Sequence, residues 1–149
     1  MMLSDHFSLA EMIASDTAAR HGISNAPGPF EIDNLRRLCV LVLEPLRAAI
    51  GQPIRITSGY RSSLLNTLVG GSRTSDHCAG RAADIQIDGT SPLTLCRAIE
   101  SLDLPTRQVI HEFGNWCHVS IPAAGDAPRR EYLTAVKVGK KTEYLRGLV

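Results

Sequence analysis

Ile32, Leu35, Leu38, Val42, Leu46 and Ile50 recur at helical spacing up to Gly51, a pattern that predicts one long amphipathic helix. Its interior Pro45 removes a backbone hydrogen bond, so either a bend or a separate last turn is expected there. Upstream, Ser8-Leu9-Ala10-Glu11 has capping-box spacing and predicts a short helix, and Asn25-Ala26-Pro27-Gly28-Pro29 interrupts the chain between the two. Pro53 to Thr57 and Ala83 to Asp88 alternate with a period of two and predict half-buried strands of one sheet, with Asp84 and Gln86 on the face opposite Ile85 and Ile87. Ser91 caps a second amphipathic helix over Pro92 to Leu102, burying Leu93, Cys96, Ile99 and Leu102. Gln108 to Phe113 and Trp116 to Ile121 flank Gly114-Asn115 as a tight antiparallel hairpin. Beyond Pro122 the chain turns polar, and Glu131 to Val138 with Thr142 to Leu145 read as a final hairpin or an extended tail. The expectation is an α+β fold, a small antiparallel sheet flanked by an N-terminal long helix and a second amphipathic helix, forming one domain over residues 1–149.

Composition narrows the partners. The chain is 44% hydrophobic and carries 16 basic against 15 acidic residues, which is ordinary for a packed globular domain. No basic stripe with interleaved aromatics follows, so nucleic acid is not an expected partner. The longest apolar run, Leu38 to Leu43, falls far short of the roughly 20 residues of a membrane-spanning helix, and no membrane insertion is expected. Met1 to Ile13 contains Asp5, His6 and Glu11 and lacks the basic and apolar regions of a signal peptide. The four cysteines form no C-x-x-C pair, and buried free thiols are expected.

Glycine, serine and ionisable residues concentrate in Ser58-Gly59-Tyr60-Arg61, in Gly70-Gly71-Ser72 and in Ser75 to Asp84, between two predicted strands. A loop histidine, His77, and a strand aspartate, Asp84, can converge on one ion, with Gly80 letting the backbone turn tightly between them. His118 projects from the face opposite Val119 and Ile121 and is the best candidate for a third ligand. An isolated histidine is more often a satisfied core or surface residue; the combination argues for a metal.

Ser75-x-His77-x6-Asp84, preceded by Ser58-Gly59-Tyr60-Arg61 and followed by Trp116-x-His118, resembles the signature of the zinc D-alanyl-D-alanine carboxypeptidases and L-alanyl-D-glutamate endopeptidases, a family that includes phage endolysins. The resemblance runs from about Phe7 through Ile121 and includes the Asn25-Ala26-Pro27 break and the Asn66 to Gly71 approach. It implies a hedgehog/D,D-peptidase-like fold, Zn2+ as cofactor, and His77, Asp84 and His118 as its ligands. It also implies that Arg61 binds substrate or stabilises the oxyanion, and that Ser75 hydrogen-bonds substrate or steadies the His77 loop.

The general base departs from the family pattern. Relatives commonly place a glutamate three residues before the last histidine, where this chain has Asn115; Glu112 lies six before it. A two-residue Gly114-Asn115 turn sets His111 opposite His118 and turns Glu112 to the wrong face, whereas a three-residue or bulged loop reverses the parity and brings Glu112 to the metal. Glu112 is the favoured base.

The implied activity is zinc-dependent hydrolysis of a peptide bond in peptidoglycan stem peptides by a monomer, encoded by a phage or prophage. Made without a signal peptide, such a protein would reach the cell wall or periplasm through phage lysis or on a virion. The alternatives are a zinc-bearing binding or structural module, as in the hedgehog signalling domain, and a small-dipeptide hydrolase inside the cell.

Overall fold

The computed structural model describes residues 1–149 as an α+β fold around a six-stranded sheet of order β1-β2-β4-β3-β5-β6. The strands are β1 (Arg55–Ser58), β2 (Ala82–Gln86), β3 (Gln108–Glu112), β4 (Trp116–Ser120), β5 (Glu131–Val138) and β6 (Lys141–Arg146). The sheet is mixed rather than purely antiparallel, because β5 runs parallel to β3. After β4 the chain crosses back past β3, which sits between β4 and β5 in the sheet. β6 then folds back antiparallel on β5, so the polar C-terminal segment is a hairpin.

The N-terminal part carries α1 (Leu9–Ile13), α2 (Asp16–Arg20), α3 (Pro29–Leu38) and α4 (Glu44–Ile50). Ser8 caps α1 through the full capping box with Glu11. The long helix does not simply kink at Pro45. A π turn over Cys39–Leu43 joins α3 to α4, and Pro45 falls in the first turn of α4, where a missing N–H is tolerated. Gly51 ends α4 in the left-handed conformation.

α6 (Pro92–Ser101) begins at the Ser91 cap as expected. α5 (Ser63–Leu68) lies in a stretch for which the residue pattern predicts no element; the Ser62 hydroxyl accepts from the Leu65 N–H and starts it. Buried residues of α3, the π turn, α4 and α6, among them Leu35, Leu38, Val42, Leu46, Leu95 and Ile99, pack with Ala83, Ile85, Val109, Cys117 and Val119 of the sheet. One face of the sheet is thereby committed to the core. By strand alternation Asp84, Glu112 and His118 stand on the other.

Candidate metal centre and its cleft

His77 reaches the site from a one-turn 3-10 helix, Asp76–Ala79, set between α5 and β2. The Ser75 hydroxyl caps this turn by accepting from the His77 N–H at 3.2 Å. Gly80 closes it at φ +75, and a Cβ there would stand 2.4 Å from the Glu31 carbonyl oxygen, so glycine is required twice over. Asp84 and His118 are direct cross-strand partners on β2 and β4.

The three side chains are buried and converge: His77 Nε2 lies 3.4 Å, and His118 Nδ1 3.0 Å, from Asp84 Oδ1. All three donor atoms fall within 4.8 Å of one another. Two donors bound tetrahedrally at about 2.0–2.2 Å from one zinc ion stand roughly 3.4 Å apart, so the group fits that metal. The remaining His77 nitrogen, Nδ1, is 2.7 Å from the Gly59 carbonyl oxygen, which leaves Nε2 with its lone pair toward Asp84. His118 instead presents Nδ1 to the centre.

The electrostatics are those of a coupled cluster. Burial opposes ionisation of Asp84, but the His77 charge and the His118 hydrogen bond outweigh it, holding the carboxyl well below its usual range. Burial depresses His77, against the pull of Asp84. For His118 burial also acts downward, yet the hydrogen bond and charge of Asp84 win and its pKa is raised.

Arg61 stands at the rim of this group. Its Nη2 is 3.5 Å from Asp84 Oδ2, its Nε donates to Ser58 Oγ at 3.1 Å, and its Nη1 donates to Asn66 Oδ1 at 3.3 Å. Asn25 holds the segment from below: its amide donates to the carbonyls of Ile13 and Tyr60, and its Oδ1 accepts from the Ser62 N–H at 2.7 Å. Neither Asn25 nor Asn66 stands out as a positioning residue from sequence, although both lie in stretches that carry the family resemblance.

The β3–β4 connection settles the parity between Glu112 and His111. Glu112 pairs with Trp116, His111 with Cys117 and Ile110 with His118, so three residues, Phe113 to Asn115, make the loop. Phe113 and Gly114 both have positive φ, and the Asn115 N–H donates to the Glu112 carbonyl at 2.9 Å. Glu112 therefore shares the site face, and its Oε1 is 3.8 Å from His118 Nδ1. His111 points to the opposite face, where its Nδ1 is 3.1 Å from the Val149 carbonyl oxygen. Burial pushes the Glu112 carboxyl up; the His118 charge opposes this, the Asp84 charge adds to it, and the net direction is upward.

The centre opens into a groove. A recess of about 560 Å³ is lined by His77, Asp84, Glu112, His118, Ser75 and Arg107 among others, and also by Lys137 and Tyr144 of the C-terminal hairpin. A second recess of about 570 Å³ extends toward Asp16 and Arg20. The two share Arg61, Val69, Asp84 and Trp116, so they adjoin beside the metal group at Asp84.

No helix is long and apolar enough to cross a membrane. No curated protein matches the chain. A family model described as Peptidase M15 matches residues 5–120, well over half of the chain and all of the metal group, ending before the β5–β6 hairpin.

Proposed function

The chain belongs to the peptidase M15 family, a family of zinc peptidases, and from that premise we propose that it hydrolyses a peptide bond in bacterial peptidoglycan, as a D,D-carboxypeptidase or an endopeptidase. The observation that carries this reading is the convergence of two imidazoles and a carboxylate where two open recesses adjoin, with a further carboxyl and a guanidinium beside them.

His77 through Nε2, Asp84 through Oδ1 and His118 through Nδ1 are the proposed zinc ligands. Zinc bound there supplies Lewis acidity, polarising the scissile carbonyl and lowering the pKa of water. Glu112 acts as general base, taking a proton from the attacking water and returning it to the departing amine. Its carboxyl suits the task by position, on the site face with Oε1 3.8 Å from His118 Nδ1, and burial favours its taking up a proton. Arg61 carries a permanent positive charge whose orientation is set by Ser58 and Asn66, and it binds a substrate oxygen or the oxyanion that develops on the carbonyl. Ser75 uses its oxygen to hold the His77 turn, leaving its hydroxyl proton to donate to substrate.

A second reading, a zinc-bearing module without turnover, rests on Asn115 standing where relatives carry glutamate. The position of Glu112 favours the enzyme, because its carboxyl meets the same site from the neighbouring strand. The test is mass spectrometry of defined muropeptides incubated with the protein, with chelator, and with zinc restored. Fragments that vanish with chelator and return with zinc support the peptidase; intact muropeptides with zinc-loaded protein support the module.

A further inference from the structure

Beyond the metal group, the groove ends in a small arginine-lined recess of about 180 Å³, bounded by Thr74, Asp76, Arg81, Arg107, Asp126 and Arg129 among others. Thr74, Asp76 and Arg107 also line the metal cleft, so the two spaces adjoin. Asp76 is the organising group. It is buried, its Oδ1 accepts from Arg81 Nη2 at 3.3 Å, and its Oδ2 accepts from Arg107 Nη1. One buried carboxylate therefore anchors two guanidinium groups while neutralising only one of them.

Both arginines keep donors in reserve. Arg107 remains about a third exposed toward the groove, and only Nη1 of its side chain makes a hydrogen bond within the protein. Arg81 Nε is buried with no partner, an arrangement that calls for an acceptor. Arg129 adds a third guanidinium and is held only loosely, 3.8 Å from Glu131. With Glu131 counted beside Asp76 and Asp126, three guanidinium groups face three carboxylates, so what the recess offers is the free donor edge of Arg107 rather than a surplus of charge. A guanidinium fixed by one carboxylate with a free edge toward a peptide groove is built to take a second carboxylate.

We propose that Arg107, held by Asp76 and supported by Arg81 and Arg129, forms a carboxylate subsite for the peptide substrate, separate from Arg61. This rests on the peptidase reading for the substrate class and deepens it. The ligand is a peptide carboxylate, borne either by the chain end or as the free α-carboxylate of a γ-linked D-glutamate. Arg107 is thus a specificity-determining residue, one that selects the acidic form of the stem peptide over its amide.

The test uses the zinc-loaded full chain and a stem pentapeptide, L-Ala-γ-D-Glu-L-Lys-D-Ala-D-Ala, made cleavage-resistant by N-methylation of its amides, in three versions: both carboxylates free, the D-glutamate carboxylate amidated, and the chain end amidated. Calorimetric Kd values are expected to weaken roughly 10- to 100-fold for one amidated version in the wild type. Which version weakens identifies the source. In Arg107→Gln that discrimination falls to within about twofold, and in Arg107→Lys it is partly kept. Arg129→Gln, at an exposed position that does not threaten folding, reduces it by a smaller factor. Equal affinity for all versions in the wild type, or undiminished discrimination in folded Arg107→Gln, overturns the subsite. Retained discrimination with no cleavage of the unmethylated peptides would instead overturn the peptidase reading and leave the subsite standing.

Discussion

Glu112 and His118 sit on neighbouring strands, two residues out of direct register and so on the same face, with 3.8 Å between Oε1 and Nδ1. That offset lets a carboxyl approach the metal group without being a member of it. Glu112→Gln keeps the shape and removes the proton acceptor. Zinc content is expected to stay at the wild-type level while kcat falls by about 10²- to 10⁴-fold. Metal analysis alongside muropeptide kinetics checks both halves, and near-normal kcat would move the role elsewhere.

Removal of a ligand has the opposite signature. His77→Ala and His118→Ala each leave Asp84 buried with one imidazole fewer, and both are expected to lose zinc and thermal stability together. A ligand present at a hundred times its Kd stabilises by about 2.7 kcal/mol, so the loss in Tm should be on the order of 5–10 °C. Chelating the wild type should lower Tm comparably. Full zinc occupancy in either variant would remove that residue from the ligand set.

How far the site could be read from the residues depends on which part was local. Asp84 and His118 follow from strand alternation, because their neighbours Ile85 and Val119 must face the core. Gly80 and His77 follow from turn chemistry. The orientation of Glu112 does not, since it depends on Phe113 adopting φ +56, which is unfavourable for an aromatic residue. A hydrogen bond from the Phe113 N–H to the Ala135 carbonyl and an edge contact with Trp116 offset this, and Ala135 is far along the chain. The parallel pairing of β5 with β3 is long-range in the same sense. The π turn is a compromise between a helical pattern and Pro45 that periodicity alone does not reveal.

Gly80 and Gly89 separate backbone strain from steric overlap. Both have positive φ, +75 and +80, but a Cβ at Gly89 meets nothing within 4 Å, whereas one at Gly80 meets the Glu31 backbone. Gly89→Ala should cost about 1–2 kcal/mol, the left-handed penalty alone. Gly80→Ala should cost clearly more and weaken zinc binding as well, because the displaced turn carries His77. Denaturant unfolding with zinc titration distinguishes them; equal losses in the two variants would show that the turn yields without disturbing the ligand.

Metal affinity should depend on pH with a sign set by His118. A raised pKa keeps its imidazole protonated above 6.5, the ordinary value, and that proton must leave before Nδ1 can bind an ion. His77, whose pKa is lowered, is already neutral there, and Asp84 is already ionised. Zinc therefore displaces a single proton, and its apparent affinity is expected to fall as pH drops through the raised His118 value, by up to about tenfold per pH unit below it. The metal-free protein behaves in the reverse sense. The His118–Asp84 ion pair contributes stability that is fully present below pH 6.5 and is lost as pH rises through the raised His118 value. Zinc Kd from competition with a chromophoric chelator between pH 6 and 8.5, together with apo melting curves over the same range, should show the two trends crossing. A zinc affinity flat above pH 6.5 would mean that His118 is unprotonated without metal and that Asp84 does not hold its proton.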